Sequence, residues 1–577
     1  MHHKTMDNSV PPLIRALLDP HRYPGAVQQV ELVQTPISWI LLAGEFAYKI
    51  KKPLQLHFLD FSTLEKRRAC CSEELRLNQR FAADIYLDVL SIFNTPDDPH
   101  WIGIGAPIEY AVKMKRFPAD NRLDRVCSRG ELQPSHLSDL ADTLYNFQNQ
   151  SAIAPGVSNF GSPTTFATMF RDNFDSLRRS LAQHENLVRL QTLQSWCEAQ
   201  FAQLSRFLVE RKEAGWVREC HGDLHLANLV LIDHRVRMFD CIEFNAELRW
   251  IDQASEIAFT YMDLLAHQRP DLANWFIDEM LSRNGDYGAI RILRLCAVYR
   301  ALVRAMVEAS PTQGSHIVST RTLIYVALAE RLTAPRPGRL IITHGPSGCG
   351  KTLASSALLL RDPLACTVRL RSDVERKRLH GLSASARSGS QPDAGLYTAQ
   401  ATNQTYARLR NLVEMLLPVG GTVIVDASFL KRTDRDTFHA LALEAGATFE
   451  ILAPQATAEQ LTERIQSRQA EGKDASDATL EVLAQQMRTM DPLGSDELQW
   501  LVPPKRFQTS SVTKTGFPTQ QNTDGPGCAG SNVSEGRTAG TNRAVSLPLP
   551  SPPDPRLSPN PSQSRVTLSR GSARSAE

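Results

Sequence analysis

Excess charge of either sign is missing from the chain, whose 577 residues carry 64 Lys and Arg against 62 Asp and Glu, a formal net charge of +2. No overall field therefore draws in a polyanion such as duplex nucleic acid, and only a local basic pocket could hold an anion. Paired cysteines are missing as well: the ten cysteines contain no C-x-x-C and form no dense framework. That scatter suits reduced thiols rather than disulfide staples or a zinc site, and the adjacent Cys70 and Cys71 read as packing residues. No uncharged apolar run reaches about 18 residues, the length a membrane helix needs. Met1 to Pro20 holds Asp, Asn, Pro and two His where a signal peptide has a basic end and an apolar core. The expectation is a cytoplasmic protein with no membrane partner. No internal repeat is found, and the length exceeds what one core sustains, so two or three domains are expected.

What is present divides into stretches. Residues 1–27 read as an N-terminal extension. From 28 to 116 strand-like runs (Val30–Gln34, Ile37–Leu42, Glu45–Ile50) precede a helical pattern from Thr63 through Leu90, and Pro107 to Phe117 returns to strand. From 117 to 333 apolar residues recur at helical spacing, as in Leu137, Leu140, Leu144 and Phe147. His221 to Phe244 interrupts them with two short strands around an Asp-His turn. Ala334-Pro335-Arg336-Pro337-Gly338 is a breaker, and from 339 to 506 strands and helices alternate, which predicts a parallel sheet with crossover helices. Residues 507–577 collapse into Ser, Thr, Gly, Asn and Pro and are expected to be disordered, because they cannot bury enough apolar area to offset the entropy of ordering them.

Gly345-Pro346-Ser347-Gly348-Cys349-Gly350-Lys351-Thr352 fits G-x-x-x-x-G-K-[ST] in full, between a strand ending at Thr343 and a helix-competent Leu353–Leu360. The backbone of Gly345, Ser347, Gly348, Cys349 and Gly350 can close around phosphate oxygens at a helix N-terminus, with the Cys349 side chain as filler. Lys351 then bridges the β and γ phosphates and Thr352 holds Mg²⁺. Asp426 closes the strand Thr422–Val425 and can reach that metal through water, or else serve as a cap. Asp373, in Arg371-Ser372-Asp373, is either a general base for an acceptor hydroxyl or the N-cap of a helix over Val374–Leu379. Arg464 and Arg468, at i, i+4 on a helix, can face transferring phosphates from a lid or lie on an ordinary charged surface.

A second constellation is His221-Gly222-Asp223-Leu224-His225-Leu226-Ala227-Asn228, followed by Phe239-Asp240-Cys241-Ile242-Glu243-Phe244. Asp223 can orient or deprotonate an acceptor while Asn228 and Asp240 hold Mg²⁺ against phosphates, with Glu243 as a further metal helper and His221 bracing the loop. The alternative is a helical domain with a satisfied polar turn.

The block HGDLHLAN with FDCIEF resembles the catalytic loop and metal segment of the aminoglycoside phosphotransferase family, whose fold is that of the protein kinases. That resemblance implies a nucleotide-binding Lys49, paired with Glu73 or Glu74, of which Glu73 is carried as the site residue. Lys51 and Lys52 are rivals of Lys49, since alternate strand positions face opposite ways. It also implies a hinge strand at Glu109–Met114 and a structural Asp252. No G-x-G-x-x-G loop stands in the small lobe. GPSGCGKT, RSD, VIVDAS and the paired arginines resemble P-loop kinases of the polynucleotide-kinase and gluconate-kinase type. With YKIKKP, FLDFSTLEKRR and EELRLN, the order of motifs over about 28 to 500 resembles bacterial bifunctional aminoglycoside phosphotransferase/ATP-binding proteins, which carry an AAA-type P-loop unit. The fold this implies is an N-terminal protein-kinase-like α+β bilobal domain, then a C-terminal α/β P-loop NTPase with a parallel sheet. Such a unit should add a closing strand and helix after Trp500, where Pro503-Pro504 and the low-complexity tail suggest a truncated or frame-shifted end. The function implied is transfer of the γ-phosphoryl of ATP, with Mg²⁺, to a hydroxyl of a small molecule. The alternatives are a P-loop enzyme regulated by a degenerate nucleotide-sensing domain, and a nucleic-acid end kinase, which would need a basic groove near Asp373.

Overall fold

Strands built from Val30–Gln34 (β1), Ser38–Ala43 (β2), Phe46–Lys51 (β3), Tyr86–Thr95 (β4) and Glu109–Lys115 (β5) pair antiparallel in the order β1-β2-β3-β5-β4. Helix α1 (Leu64–Ala82) crosses between β3 and β4, capped by the Thr63 hydroxyl, which accepts from the Lys66 N–H. The computed structural model describes residues 10–56, 58–309, 319–384, 386, 398–471 and 479–507, save the side chains of 468–471. The expected disordered tail lies outside the described residues apart from Phe507.

The helical pattern read through Leu90 stops earlier, at Ala82. Tyr86, Val89, Ile92 and Phe93 are aromatic or β-branched and fit a pleated, half-buried surface, so pairing with β5 wins over helical spacing. Residues 10–23 also do more than extend the chain: Ile14, Leu17 and Tyr23 are buried with Leu41, Tyr48 and Ile50 and close one face of the sheet.

The helical lobe comprises α2 (Pro134–Gln150), α3 (Pro163–Ser180), α4 (His184–Glu213), α5 (Gln253–Ala266), α6 (Pro270–Asn284), α7 (Ala289–Ala309) and α8 (Thr320–Thr333). Between α4 and α5 a hairpin of β6 (Leu229–Ile232) and β7 (Arg235–Met238) turns through Asp233 and His234, both at positive φ (48° and 61°), the conformation a two-residue hairpin loop demands.

In the C-terminal part β8 (Gly338–Thr343), β9 (Thr367–Arg371), β10 (Gly421–Asp426) and β11 (Thr448–Leu452) form a wholly parallel sheet in the order β9-β10-β8-β11. Around it lie α9 (Lys351–Leu360), α10 (Ser372–Leu379), α11 (Ala399–Leu416), α12 (Arg432–Glu444), α13 (Ala458–Glu471) and α14 (Leu480–Thr489). Beyond Trp500, Leu501 makes a single parallel bridge to Ile451 of β11.

The breaker at 334–338 separates two chain segments but not two cores. One apolar cluster runs from Leu123 and Phe259 through Leu340, Val368 and Ile451, so the helical lobe and the parallel sheet share a continuous interior. The nine cysteines among the described residues are all free thiols, and no helix there is long and apolar enough to cross a membrane.

Candidate nucleotide sites

The P-loop leaves β8 at Thr343 and enters α9 at Lys351. Gly348 sits at φ 86°, where a Cβ would also come within 3.0 Å of the Leu461 carbonyl, so a side chain there is both strained and crowded. Lys351 Nζ curls over its own loop and donates to Gly345 O (3.0 Å) and Pro346 O (2.8 Å). The Ser347 N–H donates to Gln486 Oε1 of α14 (2.8 Å), and Arg464 Nη1 donates to Gly348 O (3.2 Å). Helices α13 and α14 thus both reach the loop.

Strand β10 delivers Asp426 beside the start of α9. Ser355 Oγ lies 3.0 Å from the Thr352 backbone carbonyl and 3.1 Å from Asp426 Oδ2, so the first turn of α9 that carries Thr352 is held beside Asp426. Register pairs Arg371 with Asp426, so Asp373 follows two residues past the same sheet edge. A cavity of about 710 Å³ brings together Lys351, Thr352, Asp373, Asp426 and Arg464, and Arg371, Arg376 and Lys431 add positive charge to its lining. The N-cap reading of Asp373 is corrected: the N-cap of α10 is Arg371, and Asp373 stands inside the first turn. Burial pushes its carboxyl above the usual range, against the pull of Arg376 and Arg371. Arg468 belongs to α13, but its side chain lies outside the described residues.

In the N-terminal part Lys49 Nζ donates to Glu74 Oε1 (2.7 Å) and Asp240 Oδ1 (2.5 Å). Lys51, two residues on and therefore on the same face of β3, donates to Glu74 Oε2 (2.7 Å) and forms a second ion pair with Glu243. Lys52 faces the other way and bonds Thr35 O (2.6 Å). The partner of Lys49 is Glu74, a correction of Glu73. Glu74 falls in the buried stripe of α1 with Cys71, Leu77 and Asn78. Glu73, one position earlier and about 100° around the helix, is 28% exposed and bonds Arg76 (2.7 Å) and Arg249 (2.8 Å).

Burial alone would neutralise these charges. For Lys49 the carboxylates of Asp240 and Glu74 outweigh it and hold the ammonium well above its usual range. For Glu74 burial is outweighed by Lys49 and Lys51, which bring the carboxyl down to about 2. Burial does push Glu243 up, and it is shut in beside Lys51 at 4% exposure, whereas Asp240, though paired with Lys49, is 42% exposed and open to a cation.

Asn228 Nδ2 donates to Asp223 O (2.9 Å) and Asp223 Oδ2 (2.8 Å), which commits the amide nitrogen and leaves Oδ1 as the atom for a cation. The Phe239 N–H donates to Asn228 O (3.1 Å), so Asp240 stands beside Asn228. Asp223 would be raised by burial, but His225, whose Nε2 lies 3.4 Å away, brings it down to about 2. His221 braces the loop: its Nε2 is 2.8 Å from Phe239 O, and its Nδ1 accepts from the Asp223 N–H. Gly222, at φ 88°, would drive a Cβ to 2.7 Å from Leu248 O. Asp252 caps α5 through the Ala254 N–H and pairs with Arg211, both structural contacts.

Several residues that hold these loops escaped sequence reasoning. Glu256 accepts from the N–H groups of His221 (2.9 Å) and Gly222 (3.0 Å), and Asp263 accepts from Leu226 N–H (2.8 Å). Both lie on α5 seven residues apart, hence on one face, and a pair of carboxylates in so apolar a helix was the available signal. Tyr86 OH and Asn78 Oδ1 accept from the N–H groups of Asp240 (2.9 Å) and Cys241 (3.0 Å) and fix the metal segment.

The donors at both places are oxygens, from Thr352 and Asp426 and from Asn228 and Asp240, which suits a hard cation. No cluster of three His, Cys, Asp or Glu that could cage a metal occurs among the described residues. Magnesium carried on nucleotide phosphates does not need one, because it is bound through one or two protein groups and water.

Fold and sites together define a chain that joins an N-terminal unit of antiparallel sheet and helical lobe to an α/β P-loop unit. Residues 340–493 match the family model described as an AAA domain. Uncharacterized proteins of Mycobacterium tuberculosis and Mycobacterium bovis are 26% identical over 456 residues, 79% of this chain and 89% of each relative. Among solved structures, choline kinase from Cryptosporidium parvum is 12% identical and covers 55% of this chain and 93% of its own, with a TM-score of 0.37. Aminoglycoside 2'-phosphotransferase-IIIa is 11% identical over 56% of this chain and 98% of its own, with a TM-score of 0.36. The APS kinase of Mycobacterium tuberculosis is 20% identical over 25% of this chain and 78% of its own, with a TM-score of 0.20.

Proposed function

We propose that the chain is an ATP-dependent phosphotransferase with two nucleotide sites, each passing the γ-phosphoryl group to a hydroxyl of a small-molecule acceptor. One observation carries this reading: each half gathers a lysine, a pair of oxygen donors and a further carboxylate at one place. In the N-terminal half these are Lys49, Asn228 with Asp240, and Asp223. In the P-loop half they are Lys351, Thr352 with Asp426, and Asp373. Magnesium bound with the nucleotide would neutralise charge on the phosphates. Lys49 and Lys351 would hold the phosphates, and Arg464 would meet the transferring group from the lid side.

The two carboxylates suit different shares of the work. Asp223, at about 2, is ionised at any ordinary pH and a weak base, so it orients the acceptor hydroxyl and takes its proton late in a loose transition state. Asp373, raised by burial, is the stronger base. Transfer of label from radioactive ATP, screened over sugars, aminoglycosides and oligonucleotides, tests the reading. Labelled product that depends on Asp223 for one acceptor and on Lys351 for another is expected. Turnover unaffected by both Asp223→Ala and Lys351→Ala would refute it.

One observation favours a second reading, in which the N-terminal unit senses nucleotide and the P-loop unit alone turns over. The β1–β2 turn at Thr35-Pro36-Ile37 has no glycine, and Lys52 pins it through Thr35 O, so no nest of backbone N–H groups covers the phosphates there. Loss of all turnover in Lys351→Ala, with none lost in Asp223→Ala, would select it.

A further inference from the structure

Arginine in the middle of a buried parallel strand is anomalous, because such strands read as apolar on both faces. Arg369 occupies the centre of β9 with its side chain 3% exposed. Its partner comes from the other half of the chain: Asp278 of α6, 1% exposed, accepts from Arg369 Nε (3.2 Å) and Nη2 (2.5 Å) as a bidentate pair. The remaining nitrogen, Nη1, turns into the P-loop unit. It donates to Ser356 Oγ (2.6 Å) and Ser355 Oγ (3.3 Å) in the first two turns of α9. Ser355 Oγ in turn lies 3.1 Å from Asp426 Oδ2. The contacts form an unbroken path from the helical lobe to the metal-donor pair.

The path is one part of a wider grip. Asn274 Nδ2, also on α6, donates to Leu359 O at the far end of α9 (2.8 Å). Tyr287 OH bonds Glu375 of α10 (3.0 Å), and Tyr261 OH of α5 donates to Ala365 O just before β9 (2.8 Å). The elements that carry Lys351, Thr352 and Asp373 are therefore held by side chains from the N-terminal half. Of these four contacts among the described residues, the Asp278–Arg369 pair is the one that continues inward to Asp426.

We propose that Asp278 is a positioning residue for the P-loop site: through Arg369 and Ser355 it sets Thr352 against Asp426, so the helical lobe completes a magnesium-nucleotide site in the other half. The proposal rests on the reading that this site binds ATP with Mg²⁺. Residues that orient metal ligands from behind change metal affinity about 10- to 100-fold when altered.

The test uses the full chain and calorimetric binding of ATP, with Mg²⁺ and with EDTA, counting the binding that Lys351→Ala abolishes. Asp278→Asn is expected to reduce the gain in affinity that Mg²⁺ confers by about tenfold or more while ATP in EDTA binds as before. Tyr261→Phe, which breaks an interface hydrogen bond off the path, is expected to keep both. Should Asp278→Asn not fold, Ser355→Ala breaks the same path without stranding a buried charge, and the same magnesium-specific loss is expected. Full retention of the magnesium gain in these variants overturns the proposal, as does a loss equal with and without Mg²⁺, or one matched by Tyr261→Phe. Absence of any Lys351-dependent binding in the unmodified chain overturns the reading of the P-loop site itself.

Discussion

Replacing Glu74 by Gln takes one negative charge from the buried group that holds Lys49, Lys51, Asp240 and Glu243. Both lysines lose a carboxylate they contact at 2.7 Å, and neither can turn to water without leaving the interior. Removing one partner of a buried pair costs about 3–5 kcal/mol when the surviving charge is left uncompensated, an upper bound here because Asp240 stays on Lys49 and Glu243 on Lys51. Glu73→Gln is the matched control on the adjacent residue. Its pairs with Arg76 and Arg249 are partly exposed, and such pairs contribute roughly 0.2–1 kcal/mol each. Urea unfolding of the two variants should therefore separate them by about 1 kcal/mol or more, with Glu74→Gln the weaker. Binding of ATP to the N-terminal site should fall in Glu74→Gln, where Lys49 loses its anchor, and stay near normal in Glu73→Gln. Equal destabilisation by the two changes, or a neutral Glu74→Gln, would refute the burial argument and the correction built on it.

Other expectations follow from the same geometry. The two turnovers should part on acidification: Asp223, held at about 2, keeps its charge as pH falls, whereas Asp373, raised by burial, takes up its proton first. Rate profiles of Lys351→Ala and Asp223→Ala, each leaving one site, check this, and the Asp373-dependent rate should fall at the higher pH. The same shift has a stability sign: with its carboxyl depressed below 3.8, Asp223 adds stability that is present above that value and is lost as pH falls towards 2. Gln486→Ala should tighten ATP binding by about 1 kcal/mol, roughly fivefold, since a phosphate oxygen no longer has to displace Gln486 from the Ser347 N–H, and calorimetry reads it directly. Glu256→Gln sets an amide donor against one of two loop N–H groups and should cost about 2 kcal/mol, roughly 30-fold, in Asp223-dependent turnover while sparing the Lys351-dependent rate.

Local signals were legible where chemistry is carried by adjacent residues. GPSGCGKT stands between a strand and a helix as its mechanism requires, and the order βαβ after 338 yields the parallel sheet. The HGDLHLAN and FDCIEF blocks lie side by side through the Phe239–Asn228 backbone bond, so their proximity in sequence was enough to join them. Choosing Glu74 over Glu73 required the phase of α1, which charged neighbours such as Arg67 and Glu74 in the buried stripe conceal. The helix that ends at Ala82 carries no glycine stop, so only the partner strand β5 decides where β4 begins. Long-range pairs were beyond reach: nothing near Asp278 announces Arg369, ninety-one positions later, because periodicity reports which face is buried and not what meets it.

The account depends on two pockets for nucleotide in one polypeptide. Calorimetric titration of the full chain with ATP and Mg²⁺ measures that number directly, and two sites per chain are expected, with one removed by Lys351→Ala and the other by Lys49→Ala. A single site in the unmodified chain, or two sites that survive both substitutions, would contradict it.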